Sequence, residues 1–171
     1  MKYDLFITDY DGTLGEINSI DLETVDKIKD YQSRGGKFVI CTGRSFHSIV
    51  PILRRYDLTG DIITFQGAEI SSIDSENIIY DGEVDKNLLI SLIEKLKKEN
   101  VSCGVYIDGY IHYENANEEM IKYLGFVGVG AKKVDSLTET LLSSNKNVKK
   151  MVVLGEWSKI SQLQQKYSKE Y

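Results

Sequence analysis

Residues 3–14, Tyr-Asp-Leu-Phe-Ile-Thr-Asp-Tyr-Asp-Gly-Thr-Leu, decide the fold. A short apolar run, Leu5, Phe6 and Ile7, delivers two carboxylates, Asp9 and Asp11, to its C-terminal end, where Gly12, Thr13 and Leu14 turn the chain away. A run this short, followed at once by a turn, predicts a buried parallel strand, and parallel sheets bind ligands just beyond the carboxyl ends of their strands. In extended chain, residues i and i+2 share a side, so Asp9 and Asp11 are placed to face one cleft. Two carboxylates held together raise each other's pKa unless a positive group neutralises them. The pattern therefore suits a hard divalent cation, most naturally Mg2+, which takes a few carboxylates together with phosphate oxygens. The plain alternative is a polar turn built on the Asp11-Gly12 step.

The next segment extends this reading. Leu22, Val25, Ile28 and Tyr31 fall at helical spacing between a capping Asp21 and a terminating Gly35-Gly36. Lys37 to Cys41 follows as a second buried strand, so the chain opens β-α-β with a right-handed crossover. That strand runs into Thr42-Gly43-Arg44-Ser45, and a parallel neighbour brings Thr42 to the sheet edge that holds Asp9. A hydroxyl, an unencumbered Gly backbone and an Arg suit a phosphate oxygen, although the same residues could simply end a strand and cap a helix. A helix through Leu58 should tolerate Pro51 only in its first turn. Asp61 to Phe65 is a third strand ending at Gln66-Gly67, and Ala68 to Tyr80 a hairpin leading away, with its turn in Ser71 to Asn77.

From Asp81 the pattern changes. Asp85 caps a helix with Leu88, Leu89, Leu92, Ile93 and Leu96 on one face. Strands over Val101–Ile107 and Tyr110–Tyr113 are joined by Asp108-Gly109, a strong hairpin signal. A helix from Asn117 to Leu124, a capping box at Ser136 and Glu139, a strand over Val148–Leu154 and a helix carrying Trp157, Ile160, Leu163 and Tyr167 complete an α+β layer. The expected organisation is an α/β chain: a partial Rossmann-like parallel sheet in residues 1–80 and an inserted α+β region in 81–171.

Composition narrows the partners. The chain has 171 residues and a net charge of -5, which argues against a general nucleic-acid surface. No stretch approaches a membrane span and the acidic N-terminus is no signal peptide, so a cytoplasmic protein is expected. Cys41 and Cys103 lie in strand-like apolar surroundings and read as buried, reduced thiols. His47 and His112 have no ligand-type partner at metal spacing and read as surface or hydrogen-bonding residues; Tyr106, Tyr110 and Tyr113 read as hairpin packing residues.

Asp9-Tyr10-Asp11-Gly12-Thr13-Leu14 resembles the DxDGT[LV] signature of the haloacid dehalogenase superfamily of phosphohydrolases, and Thr42-Gly43-Arg44 resembles its second motif. The arrangement of the whole chain is similar to the Cof-like branch with a class IIB cap. The resemblance implies a Mg2+-dependent phosphoric monoester hydrolase. Asp9 would be nucleophile and metal ligand, and Asp11 general acid and base and, through its backbone, a second metal contact. Phosphate would bind at Tyr10, Gly12, Thr42, Gly43 and Arg44, and a small phosphate ester, a sugar phosphate for example, at Gln66 and Gly67. Gln66 departs from the branch's usual Asn. The family's downstream Lys and GDxxND-like acidic motif are not found, so the chain is expected to end within the cap and its activity in this form is open, the alternative being a non-catalytic fragment with weak Mg2+ or phosphate binding. The strand bearing Asp9 would then be an exposed edge, through which the chain is expected to self-associate.

Overall fold

Apolar runs alternating with amphipathic helices build the first half of the chain into a sheet with its helices on one face. The computed structural model describes residues 2–170, and the chain divides into two units, Met1–Gly82 and Glu83–Tyr171. In the first, β1 (Leu5–Thr8) is followed by a small hairpin, β2 (Gly15–Glu16) and β3 (Ser19–Ile20), then α1 (Leu22–Ser33), β4 (Lys37–Cys41), α2 (Phe46–Arg54) and β5 (Asp61–Thr64). A 3-10 turn over Phe65–Gly67 leads to β6 (Glu69–Ser72) and β7 (Ile78–Asp81). The sheet order is β1-β4-β5-β6-β7, with β1, β4 and β5 parallel and the last two strands antiparallel.

The expected local signals act where the sequence puts them. The Asp21 side chain accepts from Thr24 N at 3.0 Å to cap α1, and Gly35, at φ 88°, ends it. Ser45 accepts from Ser48 N at 3.2 Å and starts α2. The core lies between the helices and one face of the sheet: Val25 and Ile28 of α1 and Ile49, Val50, Ile52 and Leu53 of α2 pack with Phe38, Ile40 and Ile62. Both helices share that face because β1 to β4 and β4 to β5 are successive crossovers in one direction.

Four expectations are corrected. β1 is parallel but not buried: Leu5, Phe6 and Ile7 are 51%, 53% and 51% exposed, because β1 is an edge strand with one neighbour, β4. The β6–β7 hairpin does not lead away; β6 pairs with β5 and extends the sheet, so Ser71 and Ser72 belong to a strand and the turn falls after them. Pro51 is the sixth residue of α2, beyond the first turn, so one interior backbone hydrogen bond is missing there. That helix also stops at Arg54 rather than Leu58, as Asp57 takes a positive φ of 52°.

The second unit contains α3 (Lys86–Leu96), β8 (Ser102–Ile107), β9 (Tyr110–Tyr113), α4 (Glu118–Val127), β10 (Ala131–Lys133), α5 (Leu137–Ser143), β11 (Val148–Leu154) and α6 (Trp157–Tyr167). Its sheet order is β10-β9-β8-β11. Asp108 and Gly109 both take positive φ, as a tight hairpin between β8 and β9 requires. Leu89 and Ile93 of α3 and Leu137 and Leu141 of α5 pack on Val105, Ile107 and Val148. On the opposite face Met120 of α4 lies 3.3 Å from where a Cβ on Gly104 would stand. Among the described residues, no helix is long and apolar enough to cross a membrane.

Candidate active site

The carboxyl ends of β1, β4 and β5 supply the candidate site, and pairing fixes their levels. β1 and β4 run in register from Leu5 with Lys37 to Thr8 with Ile40, so the residues just beyond, Asp9 to Asp11 and Cys41 to Gly43, leave the sheet at matching heights. β5 pairs with β4 at Ile40–Ile62 and Cys41–Ile63, which brings the turn after Thr64 to the same edge. Gln66 N donates to Thr42 O at 3.0 Å and Phe65 N to Arg44 O at 2.9 Å, joining the two loops. Gln66 takes φ 59°, ψ 33°, and its side chain lies against Gly43. A Cβ on Gly43 would stand 3.4 Å from Gln66 Cγ.

After Thr8 the chain winds tightly rather than continuing as a strand. Tyr10 O accepts from Thr13, Leu14 and Gly15 N at 3.2, 3.0 and 2.9 Å, and Gly12 takes φ 72°. The Tyr10 ring is fully buried in the core, and the β2–β3 hairpin rests on it. A Cβ on Gly15 would stand 2.4 Å from Ser19 O and 3.1 Å from the Tyr10 ring, so only glycine fits. Burial pushes the Tyr10 phenol above its ordinary pKa, against the opposing pull of the nearby Arg44 guanidinium. Tyr10 N donates to Asp9 Oδ1 at 2.7 Å, which holds that carboxylate by one oxygen and leaves the other open. Gly12 N is engaged by Gly15 O at 3.1 Å.

Arg44 is the organising side chain, and its fork is directed at Asp11. Its Nε lies 2.9 Å from Asp11 Oδ2 and its terminal nitrogen 2.6 Å from Asp11 Oδ1, a two-pronged ion pair. The same nitrogen donates to Ile17 O at 2.7 Å, and the guanidinium lies 4.9 Å from the centre of the Tyr10 ring. The Arg44 side chain is only 10% exposed. Arg55 holds the adjacent Asn18 O at 2.6 Å, so two arginines clasp the tip of the β2–β3 hairpin. Thr42 is buried, and its Oγ1 accepts from Arg44 N at 3.2 Å, shaping the turn that aims the guanidinium.

The structure thus gathers Asp9, Tyr10, Asp11, Gly12, Thr42, Gly43, Arg44, Gln66 and Gly67 at one end of one sheet. The carbonyl of Ile17 and the ring of Tyr10 were missed in the sequence because both act through contacts made only after folding. Their one available signal was an Arg, rich in donors, placed at the sheet edge that also receives Asp11. Metal chemistry here has a limited donor set. Among the described residues no group of three or more His, Cys, Asp or Glu side chains could hold a metal ion. Asp9 and the backbone carbonyl of Asp11 are donors of the kind Mg2+ uses alongside substrate phosphate.

The family model for haloacid dehalogenase-like hydrolases matches residues 6–171, nearly the whole chain. The chain belongs to that family. Solved structures agree in fold. A haloacid dehalogenase-like hydrolase from Bacteroides thetaiotaomicron superposes with a TM-score of 0.83 at 22% identity, covering 97% of this chain and 63% of that one. A Thermotoga maritima protein gives 0.79 at 25% identity, covering 98% and 62%. A sugar phosphatase of the superfamily's subclass IIB gives 0.74 at 22%, covering 95% and 62%. The chain therefore spans a little under two thirds of the length of these relatives. No curated protein matches it in sequence.

Outside the site, the other flagged residues are structural. Tyr106 is buried with its hydroxyl 2.8 Å from that of Tyr123, and burial pushes both phenols up. His112 Nδ1 is buried without a hydrogen-bond partner, and burial pushes the imidazole pKa down against the opposing pull of a hydrogen bond with the Tyr110 backbone. Burial likewise pushes the Cys103 thiol up to about 12, and both cysteines are free.

Proposed function

We propose that this haloacid dehalogenase-like hydrolase is a Mg2+-dependent phosphohydrolase acting on small phosphate esters, sugar phosphates among them, through an aspartyl-phosphate intermediate. The observation that carries the reading is the division of labour between the two acids: Asp9 keeps one carboxylate oxygen open at the sheet's carboxyl end while Arg44 fixes Asp11 beside it. Mg2+, held by the Asp9 carboxylate and the Asp11 carbonyl, would neutralise charge on the phosphate.

The chain's own residues then account for the chemistry. The open Asp9 oxygen attacks phosphorus, and the bond from phosphorus to the ester oxygen breaks. The departing oxygen takes a proton from Asp11. Asp11, now a carboxylate, removes a proton from water as that water attacks the aspartyl phosphate, and the bond from phosphorus to Asp9 breaks. Phosphate leaves with Asp9 regenerated and Asp11 holding the proton taken from water, which it sheds on returning to the Arg44 pair and takes up again before the next transfer. The turn at Thr42 and Gly43 offers hydroxyl and backbone donors for the phosphoryl oxygens, and Gln66 borders the space where the ester group would lie.

A second reading is supported by the donor set: among the described residues no group of three or more His, Cys, Asp or Glu side chains could hold a metal ion. In it the chain binds phosphate or Mg2+ weakly and does not turn over. Hydrolysis of an aryl phosphate with and without Mg2+, beside Asp9→Asn, separates the two. Metal-dependent turnover abolished by Asp9→Asn is the expected result. A folded chain that binds Mg2+ without releasing phosphate would establish the second reading.

A further inference from the structure

The second unit holds a cavity of its own, of about 380 Å3, where α3 ends, bounded by the start of β8, the loop after β9 and the first residue of α5. That volume lies in the lower part of the range small-molecule sites occupy, about 300–1,000 Å3. Its floor is apolar and narrow. Ile93, Leu96 and Leu137 are each 2% exposed or less, so together they offer a surface to a short aliphatic stem but no slot for a ring.

Its walls are charged. The Glu114 side chain is only 18% exposed, and one of its oxygens, Oε1, accepts from Leu137 N at 2.6 Å and faces Lys97 Nζ at 3.7 Å. Its Oε2 takes no hydrogen bond among the described residues. Burial first, and then the charge of Glu114, push the Cys103 thiol up to about 12, which sets that carboxylate close to the floor that Cys103 helps to line. A carboxylate oxygen so little exposed is poorly hydrated and is satisfied by a ligand donor. Lys97 stands beside it with the opposite charge. Glu94 Oε1 takes one of its three protons at 2.8 Å, and the 3.7 Å to Glu114 is too long for a second hydrogen bond. Glu99 also lines the cavity, but Lys159 and Lys166, at 2.5 and 2.8 Å, neutralise it.

We propose that this cavity binds a small zwitterion with a short branched stem, an aliphatic α-amino acid, with its ammonium on Glu114 and its carboxylate on Lys97. The stem then lies on Ile93, Leu96 and Leu137. Neither charge alone suffices: a simple amine would meet Lys97 and a simple carboxylate would meet Glu114, each a like-charge contact. A ligand carrying both signs a few bonds apart matches the two side chains at once. The site lies wholly within the second unit and does not rest on the proposed phosphatase activity.

Titration of the 15N-labelled 171-residue chain with L-valine, followed through the side-chain amides of Asn100 and Asn115 at the exposed rim of the cavity, tests the proposal. Saturable shifts are expected with a Kd of about 1 mM, the strength open to a ligand of so few atoms. Isobutylamine, which lacks the carboxylate, and isovalerate, which lacks the ammonium, should each bind about tenfold more weakly or worse. Glu114→Gln keeps a carbonyl oxygen for Leu137 N and removes the charge; it and Lys97→Gln should each weaken L-valine about tenfold. Lys122→Gln, on an exposed pair with Glu118 away from the cavity, should leave the affinity unchanged. The same spectra report whether each variant is folded, and the three ligands need no variant at all. Absence of saturable shifts up to about 20 mM L-valine, well beyond the expected Kd, would overturn the proposal. Isobutylamine or isovalerate binding as tightly as L-valine would overturn it in favour of a single-charge site. Affinity indifferent to both substitutions would overturn it by placing the ligand elsewhere.

Discussion

Replacing Arg44 by Gln tests whether one guanidinium holds both Asp11 and the β2–β3 hairpin. Gln removes the two-pronged ion pair to Asp11, the hydrogen bond to Ile17 O and the cation over Tyr10, while keeping a polar group of similar reach. A charge-assisted pair of this geometry contributes about 1.5–3 kcal/mol when dry. Asp11 is 42% exposed, so water recovers part of that, and about 1–1.5 kcal/mol remains. The freed Ile17 carbonyl is rehydrated at a cost of about 0.5–1 kcal/mol. The sum, about 2 kcal/mol, is a ~30-fold rise in the opening equilibrium of the hairpin.

Hydrogen exchange followed by mass spectrometry reads that quantity directly, because local opening sets amide protection in native conditions. Peptides covering residues 10–20 should lose about thirtyfold protection, given that ~1.4 kcal/mol is a factor of ten. Peptides from β8 and β11 in the other unit should not change. Arg55→Gln, which loses only the bond to Asn18 O, should reduce protection of the same segment severalfold at most. Unchanged protection of residues 10–20 in Arg44→Gln would refute the assignment, since the hairpin would then be held by packing of Gly15 on Tyr10 alone.

Two further outcomes follow from side chains elsewhere, and a third from Arg44 itself. Glu99, bonded to Lys159 at 2.5 Å and Lys166 at 2.8 Å, has its carboxyl pushed down to about 2, so its stabilisation is fully present above the ordinary glutamate range and is lost as pH falls towards 2. Urea melts of the second unit should show that acid loss, and Glu99→Gln should flatten it. Asn117 caps α4 through Met120 N at 2.9 Å and donates to Leu154 O at 2.8 Å; Asn117→Ala should cost about 2 kcal/mol, seen as a lower urea midpoint with the slope unchanged. Arg44→Gln should also slow hydrolysis of alkyl phosphates more than that of aryl phosphates, because only poor leaving groups depend on a well-aimed Asp11 proton; equal slowing would argue against that role.

Much of the fold was legible because it rests on local signals. Asp21, Ser45, Asp85, Asn117 and Ser136 all sit at helix starts, and all five accept a hydrogen bond from a backbone N–H two or three residues on. The Asp108-Gly109 hairpin and the β1–α1–β4–α2–β5 order follow from turn chemistry and hydrophobic period. The β2–β3 hairpin and β10 were not legible: strands of two and three residues are too short for alternation to register. Their existence depends on partners, the Tyr10 ring beneath Gly15 in one case and β9 beside Ala131–Lys133 in the other.

The candidate site divides along the same line, and the division explains why the pairing of Arg44 with Asp11 was not legible. Motif spacing places Asp9, Thr42 and Gln66 at one sheet edge, because strand register alone fixes which loops emerge together. It does not fix where a long side chain goes from there. Arg44 stands at the start of α2, beside an expected anion site, and a phosphate is one partner its fork fits. Asp11 is another, already inside the fold and needing no association to reach it. An internal carboxylate is present at every moment, whereas a substrate phosphate is present only when bound, so the ion pair is the resting arrangement. The tight winding after Thr8 makes the pairing possible by turning Asp11 out of the strand direction that Asp9 follows, and the buried Tyr10 ring supplies the floor on which the guanidinium lies. The two acids, one residue apart in sequence, thereby enter different surroundings: one carboxylate left open at the sheet edge, the other clamped.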